Sequence, residues 1–94
     1  MNNVFLIGKI ISEIEYKFIY DRYKFNENYE KYKHVVIAKC KVELLNKSIV
    51  KIYGYDNTAD YMYKNLKVND NMLIEGKLDS LGNIEILFIH DFKL

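Results

Sequence analysis

SIVKIYGYDNTADYMYKNLKVN, residues 48–69, changes its period halfway along. In its first part Val50, Ile52 and Gly54 alternate with Ile49, Lys51, Tyr53 and Tyr55, the two-residue repeat of a strand with one face turned inward. From Ala59 the apolar positions fall at i, i+3, i+4 and i+7, as Ala59, Met62, Tyr63 and Leu66, which line one side of a helix. Asp56 and Asn57 stand before that run as N-cap candidates, and Lys64 and Lys67 suit the negative end of the helix dipole. Asn69 is suited to the left-handed residue that ends the helix. The spacing thus predicts a strand passing through a glycine into a three-turn helix.

Upstream, residues 35–42 alternate in the same way, with Val36, Ala38, Cys40 and Val42 on the inward side and Val35, Ile37, Lys39 and Lys41 on the other. Asn46-Lys47 is the turn between these two strands. Residues 4–11 are rich in large apolar and β-branched side chains, and beyond them Ile14, Tyr16, Phe18 and Tyr20 keep an alternating register. We read one long, bent strand, with Gly8 at a bulge or corner, because a residue without a Cβ lets a sheet curl onto itself. Residues 21–33 carry no sustained period and form a loop or hairpin tip, with its turn at Asn26-Glu27-Asn28. Downstream, residues 72–78 and 84–92 are two more strands, joined by a tight turn around Leu81-Gly82-Asn83. Three strands, a helix and two strands make an all-β chain with one helix, the layout of a five-stranded OB-fold barrel. Proline is absent and no linker or internal repeat divides the 94 residues, so residues 1–94 are read as a single domain.

The formal net charge is +1, too small for binding by bulk electrostatics, but it is unevenly spread. Residues 1–53 hold ten Lys/Arg against six Asp/Glu, and residues 54–94 hold four against seven. One cysteine, Cys40, permits no internal disulfide and fits the reducing cytoplasm. No stretch approaches the ~20 apolar residues of a membrane-spanning helix, and the N-terminal run lacks the features of a signal peptide. Glu13 and Glu15 are a carboxylate pair on one strand face with no partner nucleophile, and His34, His90 and Cys40 lack metal-ligand spacing. The glycines are isolated and form no phosphate-cradling loop. These residues predict no enzyme, no metal and no cofactor.

Binding is better provided for. Lys39, Lys41, Lys51, Tyr53 and Tyr55 share the outward phase of two neighbouring strands, so their rings and ammonium groups are expected on one exposed surface. A second concentration lies in residues 16–32, where seven aromatics are interleaved with basic residues; its candidates are Tyr20, Arg22, Tyr23 and Lys24. Flat rings stack unpaired bases and cations follow phosphates, so this mixture suits a single nucleic-acid strand. Two other readings share the same features. One is a protein-interaction or oligomerisation module built on the exposed sheet, and the other is single-stranded RNA, since stacking tolerates either sugar.

The segment Asn3-Val4-Phe5-Leu6-Ile7-Gly8-Lys9-Ile10 resembles the opening strand of bacterial single-stranded DNA-binding proteins. Ile37-Ala38, Tyr53-Gly54 with Ala59-Asp60, and Leu73-Ile74-Glu75-Gly76-Lys77-Leu78 are similar to further pieces of that family, in the same order and spacing over most of the chain. The resemblance implies single-stranded DNA as partner, with Tyr53 at a base-stacking position and Lys9 and Lys77 at polar positions near the DNA path. It also implies homodimers or homotetramers, with Ile37 and Ile49 available for a subunit contact, and roles in DNA replication, recombination or repair. Departures are visible: Glu43 and Lys47 stand where better-known members carry tryptophan, and the hairpin after Leu78 is short. The chain is similar to primosomal replication protein relatives and other short members, which implies that no acidic C-terminal tail recruits partner enzymes.

Overall fold

The computed structural model describes residues 3–19 and 35–90. The expectations placed on Tyr20, Arg22, Tyr23 and Lys24, on the turn at Asn26-Glu27-Asn28 and on the last strand beyond His90 lie outside them. Within them the order is β1 (Asn3–Ile10), β2 (Glu15–Phe18), β3 (Val36–Leu44), β4 (Ile49–Tyr55), α1 (Asn57–Asn65), β5 (Asn71–Leu78) and β6 (Ile84–His90). Alternation set these strands, and the buried residues follow it: Val36, Ala38, Cys40 and Val42 in β3, Ile52 in β4, Met72 and Ile74 in β5, Ile84 and Ile86 in β6. Each large apolar side chain taken fully out of water contributes roughly 1.5–3 kcal/mol, and no polar residue is buried among the described ones.

The strand order β1-β5-β6-β4-β3-β2 closes into a barrel because β1 also pairs with β3. All pairings are antiparallel except β4 with β6, which run parallel over Ile52↔Ile84 and Tyr53↔Glu85. The long first strand is bent as expected, and the bend is sharp enough to interrupt it between Ile10 and Glu15. Both halves nevertheless line one edge of β3: β1 along Val42–Leu44 and β2 along Val36–Lys39. The corner is held by the Ile11 N–H donating to the Lys41 carbonyl at 3.0 Å and the Lys41 N–H donating to Ser12 Oγ at 2.8 Å. Gly8 sits where β1 is flanked by β5 and β3 at once; a Cβ there would come within 2.3 Å of Val42 Cγ1 and 2.9 Å of the Glu43 carbonyl oxygen. Closure at this point needs a residue without a side chain.

Helix α1 covers one end of the barrel, burying Ala59 and Met62 completely while Leu66 packs against the core edge. Three details differ from the sequence reading. At nine residues the helix has two and a half turns rather than three. Asp56 occupies the N-cap position, but its carboxylate accepts from the Val35 and Val36 N–H groups at 2.7 and 3.2 Å instead of from the helix, so it anchors the start of β3. Asn69 is left-handed at φ 80°, yet it belongs to the turn after the helix, whose C-cap is the extended Leu66. There the Asn69 N–H donates to the Ile10 carbonyl at 2.7 Å and ties the turn to β1. Tyr63, assigned to the inner side by spacing, is 61% exposed and lies over Tyr16 with ring centroids 4.7 Å apart.

Candidate nucleic-acid interface

Residues directly opposite each other on paired strands project from the same face. Following the pairings across the barrel therefore traces one line of outward side chains: Glu15 opposite Lys39, Lys39 opposite Tyr53, Tyr53 beside Glu85, Glu85 opposite Lys77, and Lys77 opposite Asn3. Tyr53 stands near the middle of this belt, half-buried, with a lysine two strands away on one side and a lysine next door on the other. The neighbouring outward row holds Lys41 opposite Lys51, both exposed, and Tyr55 lies in the row on the other side, opposite Ile37. Lys9 is one outward position beyond the Lys41–Lys51 row, opposite Glu43. Between the face of β3 and β4 and the segment from Ser12 to Glu15 runs a groove of about 540 Å³, lined in part by Lys39, Lys41, Lys51 and Tyr53.

Tyr53 is held in place. Its hydroxyl donates to Asp79 Oδ2 at 2.8 Å, and Asp79 Oδ1 accepts the N–H groups of Leu81 and Asn83, both at 2.9 Å. The β5–β6 turn is thereby fastened to the ring. Burial, the bond to Asp79 and the negative charges of Asp79 and Glu85 all push the Tyr53 phenol above its usual range. Tyr55 is raised as well, by burial first and then by Glu85 and Asp79. Asp79 is lowered, chiefly by the N–H of Asn83 and then by the Tyr53 hydroxyl. The rings of Tyr53 and Tyr55 meet edge to face, 5.7 Å apart and inclined at 80°. They form a corner, so two consecutive parallel bases cannot stack on both rings at once.

Of the candidates read from the sequence, Lys39, Lys41, Lys51, Tyr53 and Tyr55 come together on one face, and Lys77 joins the belt across Glu85. Lys39 faces Glu15 at 4.0 Å with both side chains exposed, an ion pair worth at most about 1 kcal/mol that a phosphate can displace. Tyr16 and Phe18, from the aromatic window, lie elsewhere: the Tyr16 hydroxyl donates to Asp60 and its ring contacts Tyr63 and Phe18 beside α1. Ile49 is 58% exposed, but the larger apolar surface is on the outer face of β1, β5 and β6, where Phe5 and Phe88 are 66% and 61% exposed. Glu75 lies between those two rings in the register.

The sequence reading passed over Asp79 and Glu85. Glu85 was available from the alternation of Ile84 and Ile86, but its place beside Tyr53 depends on a parallel pairing between residues 32 positions apart. Asp79 lay in a recognised turn, and its bond to Tyr53 had no local signal. Among the described residues no group of three or more His, Cys, Asp or Glu side chains could hold a metal ion, and no helix is long and apolar enough to cross a membrane.

No protein-family model and no characterised protein sequence matches this chain. Solved structures do. An SSB domain from Synechococcus sp. superposes with a TM-score of 0.75 at 15% identity, covering 97% of this chain and 96% of that one. A small single-stranded DNA-binding protein from Streptomyces coelicolor gives 0.69 at 9% identity, covering 96% and 91%. A small single-stranded DNA binding protein from Mycoplasma pneumoniae gives 0.52 at 22% identity, covering 97% and 86%. The chain has the OB-fold barrel of these proteins.

Proposed function

We propose that this protein binds single-stranded DNA without catalysing a reaction and without requiring a defined sequence. The observation that carries the reading is the belt itself: an aromatic ring locked by Asp79, flanked in register by Lys39 and Lys77, beside the exposed pair Lys41 and Lys51. The likeness to single-stranded DNA-binding proteins supports it. Charge orients the strand. Phosphates are repelled from Asp79 and Glu85, and from Glu13 and Glu15 across the groove, and attracted to Lys39, Lys41 and Lys51, so the backbone follows the lysine side of the groove while the bases turn toward Tyr53. Tyr20, Arg22, Tyr23, Lys24 and Lys9 extend this contact in the proposal, and its setting is DNA replication, recombination or repair in the cytoplasm.

Titration of labelled oligonucleotides tests the reading. Three or four phosphate contacts give a log–log salt slope of about −2 to −3, at roughly −0.7 per phosphate on a single strand. Tyr53→Ala is expected to weaken binding by on the order of tenfold, the loss of one stacked base. Equal affinity for duplex, or an affinity indifferent to salt, rejects the proposal. The apolar face around Phe5 and Phe88 supports a homodimer or homotetramer as the working form. A solution mass equal to one chain rejects that part.

A further inference from the structure

Two carboxylates stand beside the Tyr53 ring, and they differ in what they have left to offer. Asp79 is committed: one oxygen takes two backbone N–H groups and the other takes the Tyr53 hydroxyl. Glu85 is directly beside Tyr53 on the adjacent parallel strand and faces the same way. It is partly buried, and among the described residues its carboxylate accepts no hydrogen bond and joins no ion pair, although Lys77 stands directly opposite it in the register; Lys39 is turned to Glu15. Its carboxylate is nonetheless close enough to both tyrosines to raise the phenols of each. A base stacked on Tyr53 and lying across the neighbouring strand, ~4.8 Å away, would bring its edge to this acceptor.

We infer that Glu85 reads the Watson–Crick edge of a base stacked on Tyr53 and biases the site toward bases that carry amino groups, guanine first and thymine last. This rests on the single-stranded DNA reading above. The chemistry follows from the donor inventory. An ionised carboxylate only accepts. Guanine presents two adjacent donors, N1–H and the N2 amine, which match its two oxygens. Cytosine and adenine each present one amine beside an accepting ring nitrogen, so one carboxylate oxygen is satisfied and the other is opposed. Thymine offers one N–H between two carbonyls, both repelled. The partly buried position of Glu85 strengthens the contact relative to one in open water, and the stacked base excludes water from one side of it.

The test compares thymine strands carrying guanine at a few spaced positions with the same strands carrying inosine, which lacks only the N2 amine. The wild-type chain is expected to bind the guanine strand on the order of fivefold more tightly, the lower end of what a bidentate base contact discriminates in partial exposure to water. In Glu85→Gln the guanine advantage over inosine falls to near unity. Equal binding of the guanine and inosine strands by the wild type overturns the inference without any variant. So does a guanine advantage that survives in Glu85→Gln. Binding that is tight but blind to the base removes the preference alone, whereas failure to bind any single strand overturns the DNA-binding reading and the preference with it.

Discussion

Gly54 separates Tyr53 from Tyr55 and lies under the start of α1, so replacing it with alanine probes how closely the helix must approach the sheet that carries the site. A Cβ at Gly54 would stand 2.4 Å from Thr58 Cγ2, 3.1 Å from Thr58 Cβ and 3.2 Å from Met62 Sδ. Ordinary contact begins near 3.4 Å, so the nearest atom must retreat by about 1 Å, and overpacking of this kind costs roughly 1–3 kcal/mol. Against it works the gain of about 0.4–1 kcal/mol from a stiffer unfolded chain, available because Gly54 is not left-handed. The clash wins. Gly54→Ala is expected to lose about 1–2 kcal/mol, which for a domain of this size lowers Tm by roughly 5–15 °C. The geometry also names the remedy, since Thr58→Ser deletes the offending methyl. The single Thr58→Ser change costs about 0.8 kcal/mol or less for one partly buried methyl, yet the double variant is expected to be more stable than the sum of the two losses predicts, by ~1 kcal/mol. Urea denaturation of all four proteins, with the slope m unchanged, measures this cycle. Additive losses, or a Gly54→Ala protein as stable as the wild type, would refute the close approach of helix and strand.

Two further outcomes follow from buried and bonded groups. Burial and then the bond to Asp79 raise the Tyr53 phenol above its ordinary value of 10.0, and the Asn83 N–H and then the Tyr53 hydroxyl lower Asp79 below 3.8, so the stability these groups contribute is fully present between those values. Stability is lost as pH falls through the folded value of Asp79, and again as pH rises above 10.0 toward the folded value of Tyr53. Tyr53→Phe should flatten the alkaline part of a pH–stability curve, and an unchanged curve would mean the hydroxyl bond contributes nothing. Burial pushes the Cys40 thiol up to about 12, and the residue is 5% exposed. Thiol reagents at pH 8 should therefore modify it slowly in the native protein and rapidly in urea, while stability contributed by the neutral thiol is lost as pH climbs from 9.0 toward 12. Fast native modification would show that the barrel core does not stay closed around it.

Local chemistry carried much of the architecture. The alternation of Val36, Ala38, Cys40 and Val42 with Ile37, Lys39 and Lys41 needs only the two-residue period of a strand to separate core from surface, and the switch at Ala59 needs only the helical period. Those signals are local, so they are legible without any partner. They also put Lys39, Lys41, Lys51, Tyr53 and Tyr55 on one outward face, because β3 and β4 are joined by a short turn whose length sets their register. Tertiary structure decided the rest. The corner between Ile10 and Glu15, the diversion of Asp56 from its helix to β3, and the exposure of Tyr63 depend on which surfaces meet, which no window of sequence contains. Above all, Tyr53 meets Glu85 and Asp79 only because β6 returns parallel to β4 after the helix. That pairing joins residues far apart in the chain, and it is what turns a row of lysines with a tyrosine into a belt of alternating charge with a hydrogen-bond acceptor beside the ring.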